Sequence, residues 1–228
     1  HPERAWRALS QWRSSWLSRE GVLSVLVLIT LSGWFLYSLM YGSPPQWVGF
    51  LIIILILATV YATAMIYASL KTVLCWYNPL TPFCYLMFAA SGGLLANLFL
   101  MSIFGQYTSS SIYYFLSFLI LSTWFIKFAW WRNLDTDISK SNLSTATGIG
   151  SFGEIRSLMP PHTSENYLQK EMGFVIARRH AIKLRFISVV LGGIIPLIII
   201  IPGTLSSVLL GFALVSHLIG VFIERWLF

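Results

Sequence analysis

A carboxylate at the edge of an apolar run can take a proton from a lipid-soluble donor, and Glu20 occupies such a place. It follows Arg19 directly and stands one helical turn after Trp16, at the threshold of the first long apolar stretch, where it can stay ionised and still face the membrane. As a purely structural residue it would be a solvated carboxylate in the first turn of a helix. His217 is the ionisable side chain read within an apolar stretch, where an imidazole serves either a proton path or a hydrogen bond to a neighbouring helix. A membrane-embedded haem usually takes two axial ligands, and His1, His162 and His180 all fall outside the apolar stretches, which disfavours a haem. Cys75 and Cys84 flank one short loop; a pair cannot supply the four thiolates of an iron–sulfur cluster or a structural zinc. They read as small apolar loop and helix residues. Gly148-Ile149-Gly150-Ser151-Phe152-Gly153 fits the pattern G-x-G-x-x-G, yet no strand precedes it and no βαβ unit surrounds it, so nucleotide binding is set aside.

The elements that must position these groups are six apolar stretches, approximately 22–41, 47–70, 84–105, 110–130, 186–202 and 204–222. Each is about the length that crosses a hydrocarbon core of roughly 30 Å as a helix. The chain is 57% hydrophobic and 10% charged with a mean hydropathy of +0.74, and helices apolar all round must be buried in protein or lipid. The expected fold is therefore all-α, a polytopic transmembrane helical bundle of six spans. If every stretch crosses, the chain ends and alternate loops share a side, and the fifteen Lys/Arg and eight Asp/Glu are read as lying there, leaving only Gly-Ser-Pro-Pro-Gln at 42–46, residues 106–109 and Pro202-Gly203 opposite. Lys and Arg resist translocation, which makes the charged face cytoplasmic. The net charge of +7 then belongs to a membrane surface and docked proteins, not to nucleic acid. No positively charged leader with an apolar core and cleavage site is read at the start of the sequence.

Four segments follow. Residues 1–21 read as an interfacial amphipathic helix, with Trp12 and Trp16 at the headgroups and Arg4, Arg7 and Arg13 elsewhere on the wheel. Residues 22–130 supply four transmembrane helices, of which the third carries Ser91-Gly92-Gly93 and Asn97, suited to close helix packing. Residues 131–185 form a cytoplasmic docking loop and helix, polar and rich in Ser, Thr and Gly, with a helix start expected at Thr163-Ser164-Glu165. Residues 186–228 give two more transmembrane helices, with a bend expected at Gly192-Gly193 and Pro196.

His1-Pro2-Glu3-Arg4-Ala5-Trp6-Arg7-Ala8-Leu9, Ser15-Trp16-Leu17-Ser18-Arg19-Glu20, the run from Tyr67 to Pro82, and His217-Leu218-Ile219-Gly220 occur in order along the whole chain. Together they resemble the membrane-anchor subunit of the dimethyl sulfoxide reductase family. The resemblance implies an eight-helix anchor of which this chain would lack the first two helices and a C-terminal tail. Such a subunit binds no metal or haem of its own. It holds a four-cluster, ferredoxin-like iron–sulfur subunit and a molybdopterin catalytic subunit on the bacterial inner membrane. It exchanges electrons between the quinone pool and the nearest cluster, with quinone or quinol as exchangeable substrate.

By the same resemblance Glu20 matches the glutamate of the quinol site, and Arg4 matches the arginine just after a His-Leu-Gly-x-Pro motif. Pro2 matches that motif's proline, so His1 sits at its variable position and does not inherit the role of its histidine. Arg4, Trp16, Arg19, Tyr67 and Trp76 are expected to line or orient the quinone, and His217 to lie on a proton route. Three alternatives stand beside this reading: the anchor of a sulfite-oxidising, quinone-reducing complex, a haem b anchor, and a small transporter.

Overall fold

The computed structural model describes residues 6–71, 73, 75–106, 108–136, 143–150, 153–156, 158, 179–203 and 206–228. Arg4, His1, His162 and the helix start expected at 163–165 lie outside the described residues. Among the described residues there is no strand; the elements are α1 (Arg7–Ser10), α2 (Trp16–Tyr41), α3 (Gln46–Ala68), α4 (Thr81–Ile103), α5 (Ser110–Thr136), α6 (Leu143–Thr147), α7 (Ala181–Val189), a π-helical turn (Val190–Ile194), α8 (Ile195–Ile200) and α9 (Ser207–Trp226). Six helices are long and apolar enough to cross a membrane, with α7, the π-helical turn and α8 joined into one of them.

Local chemistry sets their ends. Ser15 is extended and its hydroxyl accepts the Ser18 N–H, which starts α2 at Trp16, six residues before the boundary expected from hydropathy. Gly42 at φ 88° stops that helix, and Pro45 precedes the first residue of α3. Pro82 in the first turn of α4 removes an amide that would have had no partner. Ser206 caps α9 through the Leu209 N–H. Helix α5 continues through Thr136, so the start of the long polar segment extends a span.

One expectation fails. Lys127 lies inside α5, so the charges are not confined to loops, and His217 is not the sole ionisable group within a span. The apolar residues around Lys127 make this region a span by average hydropathy, which hides one cation in a long run.

Helix α2 packs on α3, α3 on α4, α4 on α5 and α9, and α9 on α7, the π-helical turn and α8. Leu95 and Leu98 of α4, Leu116 and Ile120 of α5, Ile200 of α8 and Leu210 of α9 are sealed in the core. The bend expected near Gly192-Gly193 takes the form of the π-helical turn. A Cβ on Gly220 would collide with the backbone of Gly192 and Ser188, and one on Gly193 would meet the Trp124 ring at 2.7 Å. Glycine lets α9 approach the turn directly at residues 192 and 220, and lets the Trp124 ring of α5 press on the turn at residue 193. The loosened backbone is satisfied from α9: Ser216 Oγ donates to the Leu191 carbonyl at 2.7 Å, and His217 Nδ1 lies 2.6 Å from the Gly192 carbonyl.

Candidate functional site

The starts of α2, α4 and α7 and the ends of α3, α5 and α9 come together at one end of the bundle. Two constellations form there.

The first lies on the seam of α2 and α3. Trp16 and Glu20 are one turn apart on α2, and Thr63 and Tyr67 are one turn apart on α3. The Thr63 hydroxyl donates to Glu20 Oε1 at 2.7 Å and also lies 3.0 Å from the Thr59 carbonyl. A hydroxyl carries one proton and two lone pairs. With Glu20 ionised, that proton points at the carboxylate, the stronger charge-assisted bond; with Glu20 protonated, it can turn to Thr59 and receive the carboxyl proton instead. The half-buried carboxylate therefore has a partner in both protonation states.

Trp16 meets Tyr61 edge to face at 6.0 Å. Tyr61 in turn borders a cleft of about 520 Å³ between α3, the following loop and α4, together with Met65, Tyr77, Pro79 and Phe83. Glu20 does not line this cleft. Residues 61 and 63 lie on nearly opposite sides of α3, so Tyr61 is the link between the cleft and the seam. Arg19 is committed to the bend before α2: its Nε donates to the Trp12 carbonyl at 2.9 Å, Nη2 to the Arg13 carbonyl at 2.7 Å, and its guanidinium stacks on Trp16 at 4.1 Å. It orients Trp16 more directly than it addresses any ligand.

The second constellation surrounds the other two residues singled out in the sequence, Tyr67 and Trp76. Their rings meet edge to face at 5.1 Å, and both pack on Phe228, with Tyr85 and Trp130 completing the cluster. Trp76 Nε1 donates to the Phe228 carbonyl at 2.7 Å, while Trp130 Nε1 donates to Thr81 Oγ1, which donates to the Trp76 carbonyl. The loop between α3 and α4 is thereby tied to the ends of α5 and α9.

Beneath this cluster lies an ionic group that sequence reasoning missed. Lys127 Nζ is 2.5 Å from Glu224 Oε1, Glu224 Oε2 accepts from Arg225 Nε at 2.8 Å, and Lys127 and Glu224 are almost wholly enclosed. The Lys127 ammonium stands 3.5 Å from the Trp130 ring centroid, and the Arg225 guanidinium 4.2 Å from that of Tyr85. A lone lysine within an apolar run, three residues before Trp130, was the available signal. Glu224 reads in the sequence as a loop charge, and the fold places it in the interior.

His217 stands apart from both constellations, deep between α9 and the π-helical turn. Its Nε2 has no hydrogen-bond partner among the described residues and faces Gly92. The structure does not bring it to Glu20. Cys84 is buried and Cys75 half-buried, and they form no disulfide with each other. Among the described residues, no group of three or more His, Cys, Asp or Glu side chains could hold a metal ion.

Six spanning helices, a carboxylate on a helix seam and a set of interlocked aromatic residues at one end are the features that the known families must match. The profile of the DMSO reductase anchor subunit (DmsC) matches residues 1–228. The chain belongs to this anchor-subunit family. It is a multi-pass membrane protein, and an anchor subunit of this kind is part of a multi-subunit oxidoreductase complex. The C subunit of the sulfite dehydrogenase of Allochromatium vinosum is similar to this anchor, 28% identical over 251 residues that cover 100% of this chain and 74% of that protein. No solved structure matches the chain.

Proposed function

We propose that this anchor subunit exchanges electrons between the quinone pool and a docked iron–sulfur subunit, with Glu20 as the group that takes or returns the quinone's proton. The observation that carries this reading is the Glu20–Thr63 pair, a carboxylate at a helix seam whose hydroxyl partner serves it charged or neutral. The quinone head would approach Glu20 from the lipid side, with Trp16 and Tyr61 as aromatic walls. In quinol oxidation one hydroxyl proton passes to the Glu20 carboxylate and the other to water at the charged end, as two electrons leave for the nearest cluster of the partner; in quinone reduction the same steps run backwards.

The iron–sulfur clusters and the molybdopterin belong to partner subunits in this reading, and the chain itself contributes no metal or haem. The interlocked loop around Trp76 and the basic segment over 131–185 form the docking face. The distribution of Lys and Arg among the loops supports a cytoplasmic charged face, and kinship with the anchor-subunit family supports the bacterial inner membrane as its place. Arg4 remains a candidate for the quinone site from sequence alone, and His217 for a proton route separate from Glu20.

Replacing Glu20 by Gln tests the proposal. Quinol-coupled turnover of the assembled complex is expected to be lost while turnover with a soluble artificial electron donor persists. Unchanged quinol activity would sink it. The relative's name favours a second reading of direction, in which a partner oxidises sulfite and the electrons reduce quinone. Sulfite-dependent quinone reduction by the purified complex separates the two directions.

A further inference from the structure

The last turns of α5 and the first turns of α7 lie side by side at the charged end, joined by both Nη atoms of Arg185 and both oxygens of Asp135 at 2.7 and 3.0 Å. Below this pair an open groove of about 500 Å³ runs between Phe128 and Trp131 on one helix and Phe186 and Val189 on the other, with Arg132 and Thr136 on its rim. A second hollow of about 280 Å³ shares Phe128 and Val189 with the first and continues to Leu121 and Leu197. The two make one slot, charged at the top and apolar below. From residue 128 to residue 121 it follows α5 for about 10 Å into the span.

The slot faces outward, and Phe128 and Phe186 are exposed along it. Its rim lies where α5 and α7 reach the charged end of the bundle, the level at which lipid headgroups meet basic side chains. Among the described residues the rim holds two arginines against one carboxylate, and that carboxylate is already engaged through both oxygens. Arg132 is exposed, and no carboxylate among the described residues pairs with it. An occupant must therefore be amphipathic, with a tail for the apolar hollow and a negative charge for Arg132. A neutral quinone head would leave that cation unanswered, and a zwitterionic head would answer it less well.

We propose that this slot binds one membrane phospholipid with an anionic headgroup, its phosphodiester at Arg132 and one acyl chain along Phe128 and Val189. The site is independent of the quinone reading, since it shares no residue with the seam around Glu20. The lipid would fix the α5 to α7 junction, from which the long polar segment departs and returns.

The complex, purified in detergent and stripped of lipid, would be incubated with phosphatidylglycerol or phosphatidylcholine, separated by gel filtration and assayed for retained lipid by mass spectrometry. Phosphatidylglycerol should be retained in clear excess over phosphatidylcholine. Arg132→Gln should lower its retention about fivefold, the contribution of one basic side chain to an anionic headgroup. Arg132→Lys should preserve it, and Lys71→Gln, on the same face but outside the slot, should leave it unchanged. Equal retention of the two lipids by the unaltered complex would overturn the proposal without recourse to any variant. So would full retention by Arg132→Gln, or displacement of the lipid by an isoprenoid quinone.

Discussion

Lys127 Nζ lies 2.5 Å from Glu224 Oε1, an ion pair closed off from solvent between the fourth and sixth spanning helices. Removing two charges from water is expensive, and their mutual attraction, the Arg225 guanidinium on Glu224 and the aromatic rings around them offset the loss. Breaking the pair from one side should therefore be worse than removing it whole. Glu224→Gln, which strands both cations, should destabilise the protein by about 3–5 kcal/mol, Lys127→Met should cost less because Arg225 still pairs with Glu224, and Lys127→Met combined with Glu224→Leu and Arg225→Leu should recover most of the Glu224→Gln loss. Thermal unfolding of the detergent-solubilised protein gives the comparison.

The Thr63 hydroxyl is expected to act on Glu20 and not merely fill space. Thr63→Ser keeps the hydroxyl and should keep quinol-coupled turnover. Thr63→Val keeps the shape, loses a bond worth about 1 kcal/mol, and should slow turnover roughly fivefold. Turnover with a soluble donor should be the same in both variants, which separates this effect from misassembly.

Where α9 meets the π-helical turn there is no room for one more carbon. Gly220→Ala should lower stability by about 1–3 kcal/mol, because the new methyl would press on the Gly192 backbone. Gly33 of α2 has no neighbouring atom in reach of a Cβ, so Gly33→Ala should leave the thermal midpoint unchanged or raise it.

Trp76→Phe retains an aromatic ring and removes the hydrogen bond to the Phe228 carbonyl. The loop from Trp76 to Thr81 should then open more often. Its amide hydrogens should exchange severalfold faster, as expected for the loss of a bond worth about 1 kcal/mol, while exchange in α4 beyond its first turn stays the same.

Orientation can be read by labelling with a membrane-impermeant maleimide in a Cys75→Ser background. Ser43→Cys and Gln106→Cys, exposed in the uncharged turns, should react in intact spheroplasts. Lys71→Cys and Asn133→Cys, exposed at the charged end, should react only after lysis. The reverse pattern would place the charged face outside.

The spans were legible because an apolar run of such length has few other uses, and the glycines and proline near residue 192 announced an irregular helix. Glu20 stood out in the sequence for the opposite reason, as a charge where apolar residues begin. Thr63 was not, since a threonine in an apolar helix usually turns back on its own backbone, as this one also does. The link from Trp76 to Phe228 joins residues 152 positions apart, and nothing local in either segment signals it. Lys127 and Glu224 show the limit of averaging: each is unremarkable in its window, and only the fold makes one the reason for the other.

The π-helical turn sets the phase of the fifth span. A turn of this kind takes up one residue more than an α-helical path, so the helix before it is rotated by about 100° relative to a continuous α-helix. Deleting a single residue within Val190–Ile194 would regularise the helix and still turn Arg185 away from Asp135. The insertion acts as an angular offset, letting a helix that lies against α9 along its whole length still turn Arg185 of its upper half toward Asp135 of α5.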